Sequence, residues 1–388
     1  MAVSPLSLYL HIPFCRVKCT YCDFNTYAGL EALFDDYTRA LSQEITAMGR
    51  NRQRPPVHTI FIGGGTPTAL PVSGLEAILA ACRNAFAVAP GAEITSEANP
   101  GTVNAPYLRR LRRLGVNRLS LGAQSFQPAE LRMLGRLHSA GAIGQTVAAA
   151  RRAGFDNLNL DVMYGLPGQT LAAWHNTLTR AVALRPEHLS LYSLTLEPDT
   201  PLLARVTRGD LPRPDPDLAA EMYGLVDAML VANGYTQYEI SNWCLPGREC
   251  RHNLTYWRNR PYLGMGPGAH SFEANRRWWN VKPVPRYLTL AAAAPGSGHP
   301  HPALDGDEAI SPVLEMGETV ILGLRLTREG VSLPAFEARF GQPLAAVFGP
   351  AIRKLKALHL LQEETQRLRL TPQARLVSNQ VFIHFLPD

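Results

Sequence analysis

Apolar and polar residues alternate along Leu6-Ser7-Leu8-Tyr9-Leu10-His11-Ile12, the period of a strand whose two faces meet different surroundings. Further on the period changes. Leu33, Tyr37, Leu41 and Ile45 recur at helical spacing within residues 30–50. The exchange of periods then repeats. Strands are expected at Val57–Ile62, Ala92–Glu97, Val116–Leu121, Leu158–Val162 and Leu189–Leu196. Between them helical patterns run through Leu75, Ile78, Leu79 and Cys82, from Tyr107 to Leu114, from Ile143 to Ala153 and from Leu171 to Leu184.

Strand–helix units in succession build a parallel sheet with right-handed crossovers. Such a sheet is either open and doubly wound or curved into a partial barrel. The polar residues at strand ends bear on the choice. Cys15, the run Gly63 to Thr66, Glu97, Gln124 and Asp161 fall at or just past the C-terminal ends of expected strands. Parallel α/β folds build their sites at that edge. So many strand ends aimed at one mouth suit a curved sheet. The expected fold class is therefore α/β, a partial six-unit (β/α) TIM-like barrel over residues 1–205.

Residues 206–300 read as a connecting segment. It holds a Pro- and Asp-rich loop at 207–217, a helix from Leu218 to Asn233 and an aromatic, Gly-rich stretch from Gly234 to Phe272. A Pro/Ala/Gly/His segment at 283–303 looks like a linker or surface loop. Residues 301–388 show helical patterns over Val313–Leu324 and Ala345–Leu358 and a short strand at Leu368–Leu370. They predict a smaller C-terminal α+β, winged-helix-like module.

With 388 residues, 46% hydrophobic and 18% charged, the chain can bury a large core. A net charge of +6 gives a modest preference for acidic ligands. No basic run with interleaved aromatics points to nucleic acid. No segment reaches the length of a membrane span, and Met1 to Leu10 lacks the basic region of a cleavable signal. Six cysteines are too sparse for a disulfide framework, so a cytoplasmic protein is expected.

Three of those cysteines lie in one short loop, Cys15-Arg16-Val17-Lys18-Cys19-Thr20-Tyr21-Cys22. Closely spaced thiolates suit zinc or iron–sulfur clusters. A closed zinc site wants four protein ligands, and the loop has no fourth. Three thiolates can hold a [4Fe–4S] cube and leave one iron open to a small molecule. His11, on the apolar strand, reads as a packed histidine. Gly63-Gly64-Gly65-Thr66-Pro67 would let backbone approach a ligand closely. Arg136 offers a planar fork for a carboxylate. Asp161 sits in an apolar strand, where an unpaired charge is costly.

The C-x3-C-x2-C spacing, with Tyr21 just before the third Cys, resembles the radical S-adenosylmethionine (SAM) family. That resemblance implies a [4Fe–4S] cluster on Cys15, Cys19 and Cys22, with SAM on the open iron. Tyr9-x-His11-Ile-Pro-Phe-Cys15, Gly63-Gly-Gly-Thr-Pro-Thr68, the Gln124 strand end and Asp161-Val-Met-Tyr-Gly-Leu-Pro-Gly168 look like the branch of oxygen-independent coproporphyrinogen III oxidase. SAM contacts are then implied at Tyr9, Tyr21, Gly64, Gly65, Thr66, Glu97, Gln124, Arg136 and Asp161. The oxidases carry a further Cys two residues after the third, where this chain has Phe24, and a longer N-terminal segment.

A second motif is Arg251-His252-Asn253-Leu254-Thr255-Tyr256-Trp257. A His beside large aromatics can ligate haem iron; it can equally be a packed core histidine. H-N-x-x-Y-W resembles the motif of the haem chaperones of this branch. It implies a haem site at His252, Asn253, Tyr256 and Trp257, with Arg251 or Arg258 near the propionates. The expected activity is carriage of haem to an unidentified acceptor protein, with peripheral membrane contact left open. The rivals are a coproporphyrinogen oxidase and another radical SAM enzyme. No catalytic residue is singled out.

Overall fold

The computed structural model describes residues 6–50, 52–293 and 303–387. Six parallel strands lie side by side in chain order: β1 (Leu6–Ile12), β2 (Pro56–Gly64), β3 (Ala87–Ala98), β4 (Arg118–Gln124), β5 (Leu158–Tyr164) and β6 (His188–Ser193). A helix follows each of the first five before the next strand begins. Among these helices, Phe34–Arg50 buries Tyr37, Leu41 and Ile45 of the stripe read from the sequence, and Met48 with them, while Leu33 falls in the short turn before it. Asn104, Ser139 and Thr170 start three others by accepting a backbone N–H.

Parallel strands covered on both faces are usually apolar throughout. Here the alternation seen at β1 persists. Leu8, Leu10, Ile60, Ile62, Leu119, Leu121, Leu158 and Leu160 are buried in one apolar core with the helices. The residues between them are polar and neighbours across the ladder. Ser7 lies beside Thr59, Thr59 beside Glu93, Thr95 beside Arg118, Ser120 beside Asn159 and Asn159 beside His188. All are buried. The inner face is therefore a polar lining in which many groups satisfy one another, while Thr95 Oγ1 and Arg118 Nε find no hydrogen-bond partner among the described residues. Thr59 donates to Ser7 at 2.7 Å, Asn159 donates to Ser120 at 2.7 Å, and His188 Nδ1 meets Asn159 Oδ1 at 2.6 Å.

The expected connector 206–300 differs from that reading, because much of it joins the same sheet. The hairpin β7 (Thr236–Glu239) and β8 (Asn242–Cys244) extends the β6 edge. On the other edge β9 (Tyr262–Met265) pairs parallel with β1, followed by β10 (His270–Glu273), β11 (Arg276–Asn280) and β12 (Leu304–Ala309). The result is one twelve-stranded sheet. Within the expected linker 283–303, residues Val284–Ala293 form a helix whose Tyr287 is fully buried and donates to Glu44 at 2.6 Å. Residues 294–302 lie outside the described residues.

The chain passes from one sheet edge to the other through the helix Arg251–Trp257. This helix is fixed from inside the sheet. Glu93 accepts the N–H groups of Arg251 and His252, both at 3.0 Å, and Ser7 meets Thr255 at 2.8 Å. Cys250, which starts the helix, gives no side-chain cap. The C-terminal module has its own core around Val320, Leu324, Leu355, Leu368 and Phe385. Its helices surround a small antiparallel sheet of β13 (Val331–Ser332), β15 (Arg367–Leu370) and β14 (Leu361–Glu364), in that order. It grips the β7–β8 hairpin and the crossing helix. Thr327 donates to Gln237 O at 3.0 Å, and Arg258 pairs with Glu329 at 2.7 Å.

Glu93→Ala leaves two helix N–H groups, one buried and one partly buried, without their acceptor. It should cost roughly 2–3 kcal/mol of stability, seen as a lower urea midpoint. An unchanged midpoint would remove Glu93 as the anchor of the crossing helix.

Candidate functional site

The cysteine loop leaves the C-terminal end of β1 and is pinched at its base. Cys15 N donates to Tyr27 O at 2.8 Å, and Tyr27 N donates to Pro13 O at 2.7 Å. Inside the loop Cys22 N donates to Cys19 O. None of the three thiols is in a disulfide, and all are partly exposed. Each touches a different polar group. Cys15 Sγ is 3.5 Å from Thr66 Oγ1, Cys19 Sγ accepts from Arg136 at 3.3 Å, and Cys22 Sγ is 3.9 Å from Thr26 Oγ1. Burial pushes the Cys15 and Cys22 thiols up, and the neighbouring thiols add to it at both.

The loop faces a cavity of about 130 Å³. Cys15, Cys19, Tyr21, Cys22, Gly64, Gly65, Thr66, Glu97, Gln124, Arg136 and Asp161 all line it. The glycines are needed there for space. A side chain on Gly65 would come within 2.6 Å of Phe14 O and 3.0 Å of Cys15 Sγ. Gly64 has φ +111°, and a side chain would meet the His11 ring at 2.6 Å. Gln124 also holds a left-handed φ of 64°, at a break in the β4–β5 register.

Arg136 is fixed by several acceptors: Cys19 Sγ, the carboxamide oxygen of Asn99 and Gly122 O at 2.6 Å. Asn99 in turn donates to Thr66 at 2.8 Å. It joins Arg136 to the glycine turn, a part that sequence reasoning missed. Its signal was its place two residues after Glu97 in Ser-Glu-Ala-Asn-Pro. Asp161 accepts from Asn159 at 2.7 Å and Ser120 at 3.1 Å. Burial raises its pKa, against those hydrogen bonds. Glu97 accepts from Gly64 N at 3.1 Å, yet burial and then the Asp161 charge raise its pKa to about 8. Tyr9 is apart from this group. It lines the neighbouring cavity, and its hydroxyl is 2.9 Å from His11 Nδ1.

The donor set fits an iron–sulfur cluster. Among the described residues no three His, Cys, Asp or Glu side chains converge to hold one ion. Three thiols around a loop, each able to take its own iron, suit a cube better than a single zinc. Carboxylates and Arg136 across the cavity match the amino and carboxylate groups of an amino acid.

The larger cavity, about 580 Å³, shares Phe24, Thr26, Gly64 and Glu97 with the first. Tyr256 and His270 line it too. The 252–257 motif does not gather at this wall. His252 is 1% exposed, deep within the sheet. Thr59 gives its hydroxyl proton to Ser7, so it accepts from His252 Nδ1 at 2.8 Å; Nε2 then accepts from the Tyr256 hydroxyl at 2.9 Å. Burial lowers the pKa of this imidazole to about 3. It is neutral, but neither nitrogen is open to iron in this arrangement. Asn253 is half-buried on the same helix. Trp257 turns to the C-terminal module, under Arg325 at 4.3 Å. Arg251 donates to Gly91 O and Arg258 to Glu329, so neither lines the cavity. Lys18 and Lys282 do.

Two outcomes test this geometry. Arg136→Lys loses the fork that spans Cys19, Asn99 and Gly122. In anaerobically reconstituted protein it should weaken SAM binding roughly tenfold while iron content is retained. Unchanged affinity would take Arg136 out of the SAM site. For Glu97, the folded protein keeps a proton between pH 4.5 and about 8 that the unfolded chain releases. Its burial therefore lowers stability progressively as pH rises through that window. Glu97→Gln should leave the ligand-free protein's Tm little changed at pH 5 and raise it at pH 8. Equal shifts at both pH values would contradict the raised pKa.

Residues 9–181 match the Radical SAM superfamily model, and residues 311–377 match the HemN C-terminal domain. The protein called Heme chaperone HemW in Bacillus subtilis (strain 168) is 39% identical over 98% of this chain and 99% of its own length. Its namesake in Lactococcus lactis is 36% identical over 100% and 99%. Among solved structures, the coproporphyrinogen III oxidase HemN from Escherichia coli, described as a radical SAM enzyme, superposes with a TM-score of 0.85 at 26% identity. That match covers 98% of this chain and 90% of the oxidase. The partial barrel, the cysteine loop at its mouth and these full-length likenesses agree: the chain belongs to the radical SAM superfamily and, within it, to the family of Heme chaperone HemW.

Proposed function

We propose that this protein is a cytoplasmic haem chaperone that binds haem and passes it to an acceptor protein. The observation that carries the reading is the larger cavity, opening beside the cluster loop in a chain so similar to proteins named for haem chaperoning. Its aromatic wall of Tyr27, Tyr256, Tyr262 and Phe24 suits a flat macrocycle, and Lys18 and Lys282 suit propionates. A [4Fe–4S] cluster on Cys15, Cys19 and Cys22, when bound, supplies an open iron for SAM. The chain's own residues then do the holding. Arg136 and Asn99 fix the cluster loop against the glycine turn, and Glu97 and Asp161 face the ligand.

Phe24 lines both cavities and is 63% exposed. It cannot supply the further thiol of the oxidases, which favours carriage over decarboxylation. No helix among the described residues is long and apolar enough to cross a membrane. Any membrane contact by this chain would therefore be peripheral unless it lies outside those residues.

Two assays on anaerobically reconstituted protein decide between the readings. Hemin titration should give a saturable Soret shift near one haem per chain. Incubation with coproporphyrinogen III, reductant and SAM should yield no vinyl product above a no-enzyme control. Steady vinyl formation with no hemin binding would replace the chaperone by the oxidase.

A further inference from the structure

We propose that haem iron is taken by His270, on the wall of the larger cavity, and not by a histidine inside the sheet. The inference rests on the haem-carrier reading and names the ligand that reading requires.

Three histidines stand at or next to the cavity. His11 is 6% exposed, with Nδ1 against Tyr9 and Nε2 against Asn25 O at 3.0 Å. His252 is tied at both nitrogens, as described above. His270 is the exception. Its side chain is exposed and lines the cavity, and no hydrogen-bond partner is found for either ring nitrogen among the described residues. An iron can therefore reach an imidazole lone pair there without breaking an existing bond.

The ring is also held and kept neutral. It stacks on Trp279 with centroids 5.6 Å apart and planes at 26°. Partial burial, then the Arg277 and Lys282 charges, lower its pKa against the opposing pull of Glu308. At neutral pH the lone pair is available, and ligation only displaces the iron's weak axial water or chloride.

The position is rigid because the turn before β10 is bound to the cysteine loop. Asn25 donates to Pro267 O and to Lys282 O, both at 3.0 Å. Gly268, at φ +75°, packs so closely that a side chain would come within 2.8 Å of the Asn25 amide nitrogen. His270 and Lys282 thus flank a segment pinned to the loop that carries Cys15, Cys19 and Cys22. Lys18 enters from the loop itself, its ammonium donating to Phe24 O at 3.1 Å. One imidazole, two ammonium groups and the exposed Phe24 ring form a set matched to iron, propionates and macrocycle.

The test is hemin titration of the full-length, cluster-reconstituted protein, read by Soret absorbance and low-temperature EPR of the ferric haem. His270→Ala should raise the apparent Kd roughly tenfold or more and abolish the imidazole-ligated signature. Added imidazole should restore that signature in the variant. Because His270 is exposed the variant should fold, and His270→Gln, closer in shape, should repeat the result. Lys282→Glu should weaken binding several-fold with the ligand signature intact. A His270→Ala protein with unaltered Soret maximum, EPR and Kd overturns the assignment. So does loss of the imidazole signature in His252→Ala alone. Failure of the wild type to bind hemin strikes the haem-carrier reading itself, which separates the two failures.

Discussion

Along β1 to β6 most side chains on the inward face are polar, with Phe61 and Met163 as apolar exceptions, while their neighbours along each strand pack against the helices. That division is the constraint on which the rest depends. The outward leucines and isoleucines give the sheet its hydrophobic stabilisation, each fully buried one contributing about 1.5–3 kcal/mol. The inward groups add stability only if they bond one another, since a buried polar atom without a partner is costly. Hence the chains of contact from Ser7 through Thr59 to His252, and from Ser120 through Asn159 to His188. A barrel filled with apolar residues would need no such bonds and would leave no room. A polar lining needs them toward the N-terminal strand ends, and at the C-terminal mouth it leaves acceptors and donors for a ligand.

The crossing helix follows from this division. Glu93 needs donors, and the start of the helix Arg251–Trp257 supplies them. His252 needs an acceptor and a donor; Thr59 of the lining supplies the first and Tyr256 of its own helix the second. The helix holds two sheet edges together and is in turn held by the C-terminal module. At the opposite end nothing covers the lining as fully. Glu97, Asp161 and Arg136 meet the cysteine loop there; burial, then the Asp161 charge, raises the Glu97 pKa, and carboxylates so placed suit a ligand group with positive charge.

Much of this was legible in the chain. The exchange of period two for helical spacing located six strands, and the residues at their ends share one mouth. The cysteine spacing and the glycine run needed no tertiary knowledge, because both act over a few residues. The strands between Thr236 and Ala309 were not legible, since they pair with β1 and β6, far off in sequence, and their stretches are too short to show a period. The motif at 252–257 is ambiguous in the sequence for a related reason. A histidine next to aromatics looks alike whether it faces a cavity or a hydroxyl contributed by β2. Only the fold distinguishes His252, enclosed, from His270, open.

The central claim is that three thiols at the mouth of a polar-lined barrel hold an iron–sulfur cube with one iron left for SAM. Anaerobic reconstitution with iron and sulfide, followed by metal analysis and EPR of the reduced protein, tests it most directly. The account predicts about four irons per chain and a cluster signal that changes on adding SAM. Zinc at the loop with no iron, or a signal indifferent to SAM, would contradict it.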